Sequence, residues 1–345
     1  MDKIPVNSEN SEANRPTASE SKRTFRNVIR SPSFWIIILI VAYTAVVSSY
    51  NDLTQRAFTV IVRDTTESLT DFSAGTTLTE LKASYEFALL SADVYDKKEP
   101  TEYLCSDENS LSHWYELEGA EFHDLETMPK EAKDWHGNYA DGLEFKIYYR
   151  KDLDAQGEQL VVIAFRGTDG GMSDIWSNLH WLTRWILFTY DQYDVVRTIA
   201  PELIMRIEGY EKFKGKKTRI VATGHSLGGG LAQQAAYAAD RINTVYAFDS
   251  SSVTGFYDVD KVNRDERARK MRVYRIYERG EVLAYLRRFM AQIYPVSADN
   301  PKIVEARYNF ESLKGNFITL HSMENLACNL QMVARKPEKE SSGNE

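Results

Sequence analysis

Gly224-His225-Ser226-Leu227-Gly228 sets a hydroxyl nucleophile between two glycines in a G-x-S-x-G spacing. The preceding run, Arg219-Ile220-Val221-Ala222-Thr223, is mostly β-branched and apolar and predicts a buried strand. The run Leu231 to Asp240 is rich in Ala and Gln and predicts a helix. A serine on a sharp strand-to-helix turn is a nucleophile elbow. The turn strains the serine backbone, and small flanking residues let strand and helix pass closely; Gly224 and Gly228 supply that room. The hydroxyl then stands at the positive end of the following helix, where an oxyanion can be held. The chemistry is acyl transfer through a covalent serine intermediate. A glycine-rich turn without catalytic meaning is the plain alternative, and the flanks on both sides weigh against it.

Such a serine needs a base, an acid and oxyanion donors. In this architecture the order along the chain is Ser, then Asp or Glu, then His. The six histidines are His113, His123, His136, His180, His225 and His321, and of these His321 alone lies beyond the nucleophile segment. His225 adjoins Ser226, so its side chain is expected to point away from the serine's cleft. His321 follows the strand-like Phe317-Ile318-Thr319-Leu320 and precedes a helical run from Met323 to Val333, a loop position suited to a base. The competing reading is an exposed histidine capping that helix. For the acid, the strand Thr244–Phe248 ends at Asp249; the strand Met271–Tyr277 ends at Glu278, with Gly280-Glu281-Val282 beyond. The later strand is the usual source, which favours Glu281 and leaves Asp249, then Glu278, as alternatives. Leu160 to Phe165 predicts a buried strand ending in Arg166-Gly167-Thr168-Asp169. The oxyanion donors expected are the Leu227 and Thr168 N–H groups, with the Thr168 hydroxyl as a further donor. Arg166 reads as a structural ion-pair residue.

Three ordered motifs carry a resemblance. Phe165-Arg166-Gly167-Thr168, Asp174-Ile175-Trp176-Ser177-Asn178-Leu179 and Gly224-His225-Ser226-Leu227-Gly228-Gly229 resemble the fungal-type class 3 lipases, as does Leu90-Ser91-Ala92-Asp93-Val94-Tyr95 upstream. The likeness covers about residues 77 to 330. It implies an α/β-hydrolase, a central mostly parallel sheet flanked by helices, acting as a lipase or esterase with a Ser-Asp-His triad. By the same resemblance Ser226 is the nucleophile, Thr168 holds the oxyanion position, Gly280-Glu281-Val282 matches a Gly-Asp-x-Val acid motif and His321 matches the C-terminal histidine. Two departures stand out: the acid is Glu281, and Ser250-Ser251 replaces a Gly-x-Pro. Both keep Asp249 in view as the acid.

Between the oxyanion loop and the next helix, Trp176, Leu179, Leu182 and Ile186 form one helical stripe and Trp181, Trp185 and Phe188 another. Two apolar stripes exceed what one buried face needs. Trp176, Trp181, Trp185 and Phe188 are therefore expected to form a lid or acyl-chain wall opening toward lipid; a helix packed on all sides is the alternative.

The rest of the chain sets the frame. It has 345 residues, 43% hydrophobic, with net charge −8 and no massed basic face, which excludes a nucleic-acid partner and leaves ample material for a core. No CxxC, HExxH or Cys/His cluster supports a metal, and the chemistry needs no cofactor. Cys105 and Cys328 lie far apart in sequence, and two thiols that never meet is the favoured reading over a disulfide. Residues 1–30 are polar and read as a disordered cytoplasmic arm. Residues 31–51 hold no charged side chain and are long enough to cross a hydrocarbon core, with Lys22, Arg23, Arg26 and Arg30 ahead of them. That predicts a transmembrane signal-anchor with a cytoplasmic N-terminus and an extracytoplasmic catalytic domain; cleavage near Val47-Ser48-Ser49 and secretion is the alternative. Residues 52–76 read as a stalk, 77–334 as the hydrolase domain and 335–345 as a polar tail. The expected partners are a lipid or acyl-ester substrate and the membrane. An inactive membrane-tethered binding module, or a thioesterase or peptidase on the same fold, are the other readings.

Overall fold

The structure is a computed structural model. It describes residues 59–62, 75–95, 105, 111–117, 143–154, 156–167, 192–278, 280, 281, 283, 284, 287, 301–308, 310 and 319–335, all within one compact unit from Arg56 to Glu345. The expected anchor 31–51 lies outside these residues. Among the described residues no helix is long and apolar enough to cross a membrane.

Eight strands form one sheet: β1 (Thr59–Val62), β2 (Trp114–Glu116), β3 (Phe145–Arg150), β4 (Gln159–Phe165), β5 (Thr218–His225), β6 (Ile242–Phe248), β7 (Arg272–Glu278) and β8 (Lys302–Tyr308). Their order is β1-β8-β7-β6-β5-β4-β3-β2. From β1 through β4 in that order every pairing is parallel, and β3 pairs antiparallel with both β4 and β2. Five helices are described: α1 (Gly75–Asp93), α2 (Gln192–Gly209), α3 (Leu227–Ala238), α4 (Lys261–Lys270) and α5 (Met323–Arg335).

Strand periodicity divides the core. In β4 Val161, Ile163 and Phe165 join the cluster under α2 and α3, while Leu160, Val162 and Ala164 join the cluster under α1 and α5. Every β4 residue is buried, as expected of a central strand covered on both faces. Each fully buried Val, Leu, Ile or Phe side chain among them contributes about 1.5–3 kcal/mol. α2 buries Tyr193, Val196, Ile199, Ala200, Leu203 and Ile207, a three-four spacing that lays one stripe on the sheet. Seven of the twelve residues of α3 are Gly or Ala, and these small side chains let it lie close over β5 and β6. On the opposite face α5 packs against α1 through Met323, Leu326, Ala327 and Leu330.

Three expectations change. Thr59–Val62, inside the expected stalk, pairs in parallel with β8 and forms the sheet's edge; its β-branched run suits a strand better than a spacer. Thr319 and Leu320, expected in a strand, belong with His321 to a 3₁₀ turn. Cys105 and Cys328 are not two separate thiols: they form a disulfide with Cα atoms 5.2 Å apart, between the segment after α1 and the middle of α5. α5 lies on α1, so folding of that face brings the two cysteines together across a separation of 223 residues.

Candidate active site

β5 runs at the centre of the sheet between β4 and β6 and delivers Ser226 at its carboxyl end. Ser226 has φ 56° and ψ −123°, a strained conformation for a residue with a side chain. Phe248 O accepts its N–H at 3.0 Å, and its own carbonyl accepts from Gly229 N (3.1 Å) and Ser251 N (2.9 Å). The glycines are sterically required. A Cβ on Gly224 would lie 2.3 Å from Gly228 O, and one on Gly228 would lie 2.2 Å from Phe165 O. Leu227 opens α3, so its N–H belongs to the first turn, whose amides have no acceptor within the helix.

His321, on its 3₁₀ turn, is buried beside this serine. Its Nε2 lies 3.1 Å from Ser226 Oγ and its Nδ1 lies 2.8 Å from Glu281 Oε2. Glu281 is fully buried and also accepts from Leu283 N–H at 2.7 Å. Its second oxygen pairs with Arg287, whose guanidinium donates to Ser250 O at 2.8 Å and stacks 3.9 Å from the Tyr277 ring centroid. Burial pushes the Glu281 carboxyl up, but the Arg287 charge and the hydrogen bond from His321 outweigh it and hold the group below its ordinary value. An ionised carboxylate only accepts. The proton therefore sits on His321 Nδ1, which leaves Nε2 free to accept from the serine hydroxyl.

Asp249, at the end of β6, is fully buried with φ 39°. Its Oδ1 accepts from Glu278 N–H at 2.9 Å, and its Oδ2 has no hydrogen-bond partner among the described residues. Burial first, then the Glu281 charge, raises its pKa well above the ordinary value despite Arg287. Of the three carboxyls weighed in the sequence, Glu281 meets the imidazole. Glu278 extends β7 and lends its backbone N–H to Asp249.

Sequence reasoning missed two features. Arg287 falls six residues after Glu281 in a stretch with no motif, and only the buried carboxylate would have called for a cation there. His225 does not simply turn away: its ring lies 4.7 Å from that of His321, between Tyr95 and the His321 carbonyl. Arg166 pairs with Glu144, as expected. Thr168 and the aromatic segment with Trp176, Trp181, Trp185 and Phe188 lie outside the described residues.

His225, Asp249 and His321 bring ligand-type atoms within 4.8 Å of one another, the sole such trio among the described residues. Both nitrogens of each imidazole are already hydrogen-bonded, so a metal there would have to displace one hydrogen bond from each ring.

Residues 86–302 match the family model described as phospholipase-like, the Tle-like phospholipase domain. The chain belongs to this family. It is a lipase-type α/β-hydrolase, and the Tle-like domain takes in β2 through the start of β8, including Ser226 and Glu281. No relative among the curated proteins matches the chain. Solved structures similar to this Tle-like chain include a lipase from Rhizopus microsporus var. chinensis, 16% identical, covering 68% of this chain and 78% of that one at a TM-score of 0.35. Another is esterase B from Lactobacillus rhamnosis, inhibited by a tributyrin phosphonate, 15% identical, covering 76% of this chain and 94% of that one at 0.34. At those scores neither bears on substrate or mechanism.

Proposed function

We propose that this Tle-like protein is a serine carboxylic-ester hydrolase that cleaves fatty-acyl esters of phospholipids through an acyl-enzyme on Ser226. The observation that carries the reading is the continuous hydrogen-bonded chain Ser226–His321–Glu281 behind a serine of positive φ at a strand-helix turn. His321 takes the hydroxyl proton as Ser226 attacks the ester carbonyl, and Glu281, kept ionised by Arg287, stabilises the imidazolium. The N–H groups of Leu227 and Thr168 hold the oxyanion. Protonated His321 then gives its proton to the leaving alcohol. Water, activated by the same base, releases the fatty acid and restores the serine. No cofactor enters.

The phospholipid substrate is supported by the family description, and an acyl ester over a thioester or peptide by the motifs that resemble class 3 lipases. Trp176, Trp181, Trp185 and Phe188 serve as the lid or acyl wall. The catalytic domain works on the extracytoplasmic side, tethered by residues 31–51; the Cys105–Cys328 disulfide supports an oxidising compartment. The test is hydrolysis of phospholipid vesicles and of p-nitrophenyl esters, beside labelling by a fluorophosphonate. Folded Ser226→Ala is expected to lose turnover and label together. Turnover that survives the substitution removes Ser226 from the reaction, and a wild-type chain that neither labels nor hydrolyses points to a binding module.

A further inference from the structure

We infer that Tyr95 and His225 form a positioning pair that ties the loop after β4 to the backbone of His321, so that the oxyanion side and the base side of the serine move as one. The inference rests on the roles proposed above for Ser226, His321 and Thr168.

Tyr95 lies two residues beyond the end of α1, which is fastened to β5 where Ser91 Oγ meets Thr223 Oγ1 at 2.8 Å. The tyrosine hydroxyl accepts the Gly167 N–H at 3.1 Å and meets His225 Nδ1 at 3.0 Å. The other ring nitrogen of His225 meets the His321 carbonyl at 3.0 Å. Donor and acceptor chemistry fixes the direction. A carbonyl only accepts, so His225 Nε2 carries the proton and Nδ1 accepts; Tyr95 then donates its O–H to Nδ1 and takes the Gly167 N–H on a lone pair. Burial pushes the Tyr95 phenol far above its ordinary value, against the Gly167 hydrogen bond, so that O–H stays in place. Three hydrogen bonds thus run in one direction, from Gly167 through Tyr95 and His225 to the base's own backbone.

The ends of this chain separate it from an ordinary satisfied core histidine. Gly167 immediately precedes Thr168, and a Cβ at Gly167 would lie 2.5 Å from the Tyr95 hydroxyl and 2.6 Å from His225 O, so the loop's backbone must touch both. At the far end the contact is to the residue whose ring meets Ser226. Small displacements of such groups cost rate steeply, because the reacting atoms must be aligned within fractions of an ångström.

The test uses the full-length protein and a soluble p-nitrophenyl ester. Tyr95→Phe deletes one oxygen and leaves the Gly167 N–H and His225 Nδ1 unpaired. It is expected to lower kcat by about tenfold or more while KM stays within about twofold. His225→Gln, whose amide can still donate to the His321 carbonyl, is expected to keep more activity than His225→Leu. Tyr95→Phe combined with His225→Leu should cost no more than the worse single change, because both cut the same chain. An unchanged kcat in Tyr95→Phe, or losses that simply add in the double variant, overturns the pair. Should Tyr95→Phe fail to fold, equal activities of His225→Gln and His225→Leu overturn it instead. Wild type and Ser226→Ala run alongside: wild type that is inert refutes the hydrolase reading, whereas Ser226-dependent turnover with Tyr95→Phe unimpaired refutes the pair alone.

Discussion

Replacing Arg287 by methionine keeps an unbranched, largely apolar stem and deletes the guanidinium and its charge. Glu281 then sits fully buried with no cation against Oε1, while the Ser250 carbonyl loses its donor and the Tyr277 ring its stacked guanidinium. Breaking one side of a buried ion pair costs about 3–5 kcal/mol. That cost depends on pH, and the sign can be worked out. Glu281 has a lowered folded-state pKa, so the pair contributes stability above the ordinary carboxylate value of 4.5, and that contribution is lost as pH falls through the folded value. The destabilisation by Arg287→Met is therefore largest near neutrality and shrinks in acid, where Glu281 is protonated in both folded and unfolded chains. Denaturant titrations at about pH 7 and about pH 2, well below the ordinary carboxylate value, measure it. The acid limb of the pH–rate profile should also move upward, since a carboxylate without Arg287 takes its proton sooner. Equal destabilisation at both pH values, with an unmoved acid limb, would refute the claim that Arg287 keeps this carboxylate charged.

Exchanging each candidate acid for its amide separates Glu281 from Asp249. Glu281→Gln is expected to reduce kcat by about 10⁴-fold, because the amide favours the wrong tautomer of His321, while Asp249→Asn should stay within about tenfold of wild type. Stability tells the second carboxyl apart as well. Asp249 has a raised folded-state pKa, so wild-type stability falls as pH climbs above the ordinary value of 3.8, and Asp249→Asn should be the more resistant to urea at about pH 8 but not at about pH 3. Reducing the disulfide, or Cys328→Ser, opens a loop whose ends are 223 residues apart; chain entropy puts the loss at about 5 kcal/mol, read as a lower urea midpoint. A midpoint unchanged by reductant would count against the bond contributing to stability.

The sheet's centre was legible because burial on two faces leaves a continuous apolar run, as in Leu160 to Phe165, and the turn at Ser226 because only glycine fits where strand and helix touch. His321 followed from chain order, a rule of connectivity rather than of contact. Chain order favoured Glu281 over Asp249 without deciding between them. Asp249 follows β6 directly and Glu281 lies three residues past the neighbouring β7, and what decides is which carboxyl reaches the ring and which is paired with a cation supplied by Arg287. Cys105 and Cys328 leave no local trace of their union, because the packing of α5 on α1 alone makes them neighbours. Thr59–Val62 is four residues long, too short for alternation to stand out, and is recruited by the open edge of β8.

The bond between Cys105 and Cys328 closes a covalent ring. Inside it lie β2 through β8 and, with them, Ser226, Glu281 and His321. A single backbone cut anywhere between those cysteines, made by a protease in the surroundings, opens the ring without separating its pieces. The two halves of the sheet stay on one molecule, and a nicked chain runs as one species until thiol is added. This is tolerance to damage: the first cut leaves Ser226, Glu281 and His321 still joined, and a second is needed to part them.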